Sequence, residues 1–231
     1  MTPKKSSFAA VLEELAVNIR MNSTKQGLIN TWQKRGLIND QRVLEAFRTI
    51  PREQFIPSGF KSKAYRDAPL EIGYGQTISQ PFTLLSMVEL LDVEKTDKVL
   101  EIGAGSGYGA AILGQLASQV YAIEIVSELV KLAQGNLNHA NINNVEVIEW
   151  DGSLGYDRES PYDKVIVSAA CYEIPKALIE QLGEDGVIVA PVGDRHSQVM
   201  TRGIKCNEGL KKSYFGSYTF VPLTGKFGQV N

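Results

Sequence analysis

The sequence has little of what most catalytic chemistries require. Its 231 residues include only two histidines, His139 and His196, and two cysteines, Cys171 and Cys206. No spacing among them suits a zinc site, so no metal is expected. No Gly-x-Ser-x-Gly elbow is present, which excludes the common form of a Ser-His-Asp hydrolase. Two isolated thiols cannot build a disulfide framework and fit a reducing compartment. Basic charge is not in excess: the formal net charge is −2, which argues against a nucleic-acid partner held by charge. No apolar run approaches the ~20 residues that span a bilayer. Glu13 and Glu14 interrupt what a secretory signal needs. A cytoplasmic protein without a membrane partner is expected.

What is present is a glycine turn. Val99-Leu100-Glu101-Ile102-Gly103-Ala104-Gly105-Ser106-Gly107-Tyr108 reads as a buried strand, a turn with glycine at every second position, and a helix start. Gly103, Gly105 and Gly107 allow positive φ and a close backbone approach to a ligand. The following helix directs free N–H groups and its positive end at the turn. From Lys98 onward strands and helices alternate. The expected strands are Lys98–Ile102, Gln119–Glu124, Asn144–Glu149, Asp163–Ser168 and Gly186–Ala190. The intervening helices are Tyr108–Ala117, Ser127–Asn138 (with Leu129, Leu132, Ala133 and Leu137 inward) and Pro175–Leu182. Near-continuous apolar strands between helices specify an α/β fold with a doubly wound, mostly parallel sheet. Gln198–Lys205 and Ser213–Val221 add two antiparallel strands at the C-terminal end.

Before Lys98 the chain reads differently. Phe8, Val11, Leu12, Leu15 and Ile19 share a helical face, Leu28–Lys34 forms a short helix, and Asn39 or Asp40 caps another that ends at Pro51. Residues 64–81 sustain neither a strand nor a helix period, and Ser79 is placed to cap the helix that opens with Pro81. The expected organisation is a single domain over 1–231. Its first 80 residues are a helical and irregular segment forming part of the substrate cleft, and 81–231 are the α/β core.

The glycine turn narrows its own ligand. Its register is G-x-G-x-G, with Tyr108 where a dinucleotide fingerprint has its final glycine, and no Gly-Lys-Ser/Thr closes a Walker A loop. Glu124 lies about 20 residues on, at the end of the second strand, where a carboxylate accepts from ribose hydroxyls. Glu101 opposes a pyrophosphate but tolerates an ammonium. Asp151, ending the third strand, is in reach of an adenine amino group. S-adenosylmethionine fits all three acids.

The same residues resemble class I methyltransferases. Gly75-Gln76-Thr77-Ile78-Ser79-Gln80-Pro81 is similar to the G-Q-T-I-S-Q-P signature of protein-L-isoaspartate O-methyltransferases. Pro51-Arg52-Glu53-Gln54-Phe55-Ile56-Pro57, Ala64-Tyr65-Arg66-Asp67, Asp151-Gly152 with Gly155, and Phe220 to Gly225 resemble further blocks of that family. Trp150 departs from it, standing where the family usually has glycine, and the residues before Thr24 extend its usual start. The resemblance implies a Rossmann-like fold and S-adenosylmethionine as donor. It also implies methylation of the free α-carboxylate of L-isoaspartyl residues in damaged proteins, with repair through a succinimide. It makes Ser79 the catalytic residue. Gln76, Thr77, Ile78, Glu101, Gly103, Gly105, Gly107, Glu124, Asp151, Gly152, Thr224 and Gln229 become the donor-binding set. The alternatives are a nucleic-acid methyltransferase and a silent donor-binding adaptor. Ser168-Ala169-Ala170-Cys171-Tyr172 lacks the motif of amino-methylating enzymes, and the intact Ser79 opposes the adaptor. A monomer and a small homo-oligomer are both compatible with the amphipathic N-terminal helix.

Overall fold

The computed structural model describes residues 24–228, so the helix expected over Phe8–Ile19 and the site residue Gln229 lie outside the described residues. Two helices open the described chain, α1 (Lys25–Lys34) and α2 (Gln41–Thr49). Thr24 caps α1 by accepting from the Gly27 N–H, so that helix starts one turn earlier than its apolar spacing suggests. Asp40 caps α2 through the Arg42 N–H. Residues 64–81, expected to be irregular, contain a small antiparallel hairpin of β1 (Leu70–Gly73) and β2 (Gln76–Ile78). Its strands are too short to show a period. Its turn rests on three successive positive φ angles, at Gly73, Tyr74 and Gly75.

Helix α3 (Pro81–Leu91) follows, and then the main sheet. Its strands are β3 (Lys98–Ile102), β4 (Gln119–Glu124), β5 (Val145–Glu149), β6 (Tyr162–Val167), β7 (Leu182–Gly193), β8 (Gln198–Cys206) and β9 (Gly209–Tyr218). Their order is β5-β4-β3-β6-β7-β8-β9. The first five are parallel, and β8 and β9 are antiparallel. Helices α4 (Tyr108–Gly114), α5 (Ser127–His139) and α6 (Lys176–Glu180) complete the fold.

Alternate residues of one strand enter different cores. Val99, Val120, Ala122 and Ile166 join the cluster that contains Trp32, Phe47 and Leu85. Leu100, Ile102, Ile123 and Val165 join the one around Leu178 on the opposite face. This is the doubly wound arrangement expected from apolar runs buried on both sides. The chain turns back between β3 and β6, and the ligand crevice of such a sheet lies at that switch, beyond the C-terminal strand ends.

Several boundaries differ from the expected ones. Strand β7 is much longer than Gly186–Ala190, because Gly183 to Gly186 continue it through a register shift, with Asp185 at φ 56°. Leu182 accordingly belongs to that strand and not to the helix before it. Helix α4 stops at Gly114, where a Cβ would meet Val145 Cγ2 at 3.0 Å. In α5, Leu132 is exposed and Val130 takes the inward place. Among the described residues, no helix is long and apolar enough to cross a membrane.

Candidate active site

The C-terminal ends of β3, β4 and β6 open into a cleft. Its floor is the glycine turn. The N–H groups of Gly103 and Ala104 donate to the Ile123 carbonyl, at 2.9 and 3.0 Å, which ties the turn to β4. Gly105 has φ 53°, and a Cβ there would lie 3.3 Å from Ile72 Cδ1 of the hairpin. The hairpin therefore folds onto the turn, and β2 places Gln76, Thr77 and Ile78 on the cleft wall with Ser79 directly after them.

Two carboxylates face the turn. Glu124 accepts from the N–H groups of Gly105, Ile125 and Val126, at 2.9, 2.9 and 3.0 Å. Glu101 is 1% exposed, and its Oε2 has no partner among the described residues. Burial, reinforced by the nearby Glu124, pushes its carboxyl up to about 8. Space for it exists only because residue 109 is glycine: a Cβ there would sit 2.2 Å from Glu101 Oε1. Ser106 Oγ and the Tyr108 hydroxyl are further buried polar atoms in the lining without a partner among the described residues. A cradle of small residues with an unsatisfied acid and hydroxyl suits a polar ligand carrying a cationic group, as the amino-acid end of S-adenosylmethionine does.

The expected site residues divide into three groups. Ser79, Gln76, Thr77, Ile78, Glu101, Gly103, Gly105, Glu124, Gly152 and Thr224 all line the one cleft. Gly107 and Asp151 do not. Gly107 is the N-cap position of α4, at φ 85°, and a Cβ there would crowd Ala133 Cβ at 3.2 Å. Asp151 accepts from Ser153 N and Oγ at 2.9 and 2.6 Å and from Lys226 N at 2.8 Å, so its carboxylate fastens the C-terminal turn. Gln229 lies outside the described residues.

Ser79 is not the cap of α3. That position is held by Gln80, without a side-chain bond to the helix backbone, while Asp67 accepts from the Phe82 N–H at 3.0 Å. The Ser79 hydroxyl is thus not committed to the helix end. Its carbonyl is committed: it accepts from Arg52 Nη2 at 2.7 Å.

The sequence reasoning passed over Ser106, Gly109, Ile125, Ser168, Ala169, Val221 and Leu223, which also line the cleft. Ile125 was within reach of it, as the residue following an acid at a strand end. The C-terminal residues were not. They arrive because Ala170 N donates to the Val221 carbonyl and Leu223 N to the Ala170 carbonyl, at 2.8 and 2.7 Å, which draws a distant segment across the end of β6.

Comparison with known proteins agrees with this construction. The family model described as protein-L-isoaspartate(D-aspartate) O-methyltransferase matches residues 22–228. A protein-L-isoaspartate O-methyltransferase of Methanoculleus marisnigri is 46% identical over 191 residues, covering 83% of this chain and 87% of the relative. That of Dictyoglomus thermophilum is 44% identical, with the same coverage of each. Among solved structures, a protein-L-isoaspartate O-methyltransferase superposes with a TM-score of 0.79 at 27% identity, over 89% of this chain and 67% of the other. A Plasmodium falciparum chain described as a β-aspartate methyltransferase, solved with S-adenosyl-L-homocysteine, shares the fold at a TM-score of 0.77 and 24% identity, over 88% of this chain and 99% of the other. A family match over nearly the whole described chain, meeting a cleft built from the same motifs, has one consequence: this chain belongs to the protein-L-isoaspartate(D-aspartate) O-methyltransferase family.

Proposed function

We propose that the chain methylates the free α-carboxylate of L-isoaspartyl residues in proteins and peptides, with S-adenosylmethionine as donor. The observation that supports this best is that Gln76 to Ser79 and the glycine turn line one and the same cleft. Donor and acceptor then meet where β2 ends. Bound there, S-adenosylmethionine supplies a methyl group already activated by its positive sulfur. Glu101, Gly103, Gly105, Glu124 and Gly152 hold the donor side, and Glu101 faces the ammonium. Thr224 closes the cleft from the C-terminal segment.

The acceptor carboxylate is ionised near pH 7, so no side chain has to remove a proton. The scarcity of histidine is therefore in keeping with the reaction. What the chain must supply is alignment of the carboxylate oxygen with the methyl carbon, by fixed hydrogen-bond donors. The Ser79 hydroxyl, free of the helix end, takes that role. In this reading the segment before Pro81 supplies part of the substrate cleft, with Gln76, Thr77 and Ile78 also reaching the donor, and the core after Pro81 holds the donor. Both cysteines are free thiols, in keeping with a reducing cytoplasmic setting.

The test uses a peptide with one L-isoaspartyl residue beside its aspartyl twin and donor labelled on the methyl group. Base-labile label on the isoaspartyl peptide alone supports the reading, with a kcat/KM drop of about 100-fold in Ser79→Ala, the scale for loss of an orienting donor. Donor binding without transfer to either peptide would refute it.

A further inference from the structure

Arg52 has no exposed surface, yet among the described residues it makes no ion pair. Its guanidinium instead joins three separate segments. Nε donates to the Ala64 carbonyl at 2.9 Å, Nη2 donates to the Ser79 carbonyl at 2.7 Å, and the cation lies over the Tyr108 ring, 5.0 Å from its centroid. Phe55, three residues on, packs edge-on against the same ring at 5.4 Å. Among the described residues Nη1 makes no hydrogen bond, and the charge of Asp67 reaches the guanidinium only from beyond ion-pair distance. Burying a cation without a carboxylate is costly, and an apolar side chain of similar size generally serves stability as well or better. The need for a guanidinium here lies in what it holds.

It holds the reacting end of the hairpin. Ser79 lies outside β2, which ends at Ile78, and stands two residues before the first residue of α3. Arg52 bonds its carbonyl and rests on Tyr108, which follows the glycine turn. One rigid, forked group thus sets the distance between the acceptor wall and the donor floor. We infer that Arg52 is a positioning residue for methyl transfer: it acts through Ser79, fixing that residue's backbone against the glycine turn, and it touches neither substrate. The inference rests on the isoaspartyl reading above and deepens it.

The experiment combines Arg52→Lys, which keeps the charge but not the fork, with Ser79→Ala in a double-mutant cycle on the full chain. S-adenosylhomocysteine affinity and isoaspartyl-peptide kinetics are the readouts. Arg52→Lys is expected to lower kcat/KM for the peptide about 100-fold, the effect of a misplacement on the scale of 1 Å. S-adenosylhomocysteine affinity should stay within about threefold. In the Ser79→Ala background the same change should cost less than about threefold, because the residue it acts through is gone. Costs that multiply in the double variant, an unchanged kcat/KM in the single one, or an equal loss of S-adenosylhomocysteine affinity each overturn the inference. If Arg52→Lys does not fold, an ester in place of the Ser79–Gln80 peptide bond weakens the same acceptor and leaves Arg52 intact. A lowered kcat/KM then supports the clamp, and an unchanged value overturns it. An inactive wild-type chain would sink the isoaspartyl reading itself, a result separate from any of these.

Discussion

Glu101→Gln isolates the most perturbed acid in the cleft. The carboxyl is fully enclosed, with Oε2 unpaired among the described residues, and is pushed up to about 8 from its ordinary 4.5 by burial first and by Glu124 second. Between those two values the folded chain holds a proton that the unfolded chain has lost. Stability therefore falls as pH rises from about 4.5 to about 8 and levels off above that. At about 1.4 kcal/mol per pH unit, the full loss is about 5 kcal/mol. At about 2–4 °C per kcal/mol for a chain of this size, the melting temperature should change by about 10–20 °C. Glutamine has the same shape and does not titrate, so Glu101→Gln should lack this slope and be the more stable chain at pH 9. S-adenosylhomocysteine carries the donor's ammonium and should reverse the effect by favouring the ionised acid. Near pH 7 its binding should then release a proton from the wild-type chain but not from Glu101→Gln. Thermal melts from pH 5 to 9, with and without S-adenosylhomocysteine, read the slope. Calorimetry in buffers of different ionisation enthalpy reads the proton. Parallel melting profiles for the two chains, or binding heats independent of buffer in the wild type, would refute the reasoning.

Other perturbations read other contacts. Gly109→Ala, which normally favours a helix, should here destabilise by about 1–3 kcal/mol in urea unfolding and weaken S-adenosylhomocysteine binding, because the new methyl meets Glu101 Oε1 at 2.2 Å. Asp151→Ala leaves the Lys226 and Ser153 N–H groups without their acceptor. Trypsin should then cut after Lys226 faster, with about 1–3 kcal/mol lost in unfolding; an unchanged cleavage rate would remove the tether from consideration. Trp150 is 47% exposed while Trp32 is 2% exposed. The parallel register that pairs Glu124 with Glu149 puts Trp150 beside Ile125, which lines the cleft. S-adenosylhomocysteine should change the exposed indole's emission and leave that of Trp32 constant, and Trp150→Gly should abolish the response.

What the sequence determined by itself is local or periodic. Strands β3 and β4 are legible to the residue because apolar runs buried on both faces end abruptly at the glycine turn and at Glu124. The alternation of strand and helix specified the doubly wound sheet, and that topology alone specifies where its crevice lies. The motif around Ser79 carried the family. What the sequence could not carry is which distant atoms meet. Ser79 looked like a helix cap, but Asp67 reaches that helix end from the other side of the hairpin. Asp151, expected at the adenine, also fastens a distant segment: the N–H of Lys226, 75 residues away, donates to one of its oxygens. Arg52 was a letter in a motif until its fork met Ser79 27 residues on. Local pattern fixes backbone conformation through steric preference and burial. A buried polar atom takes whichever partner the packed chain brings within about 3 Å, and only the tertiary structure decides that.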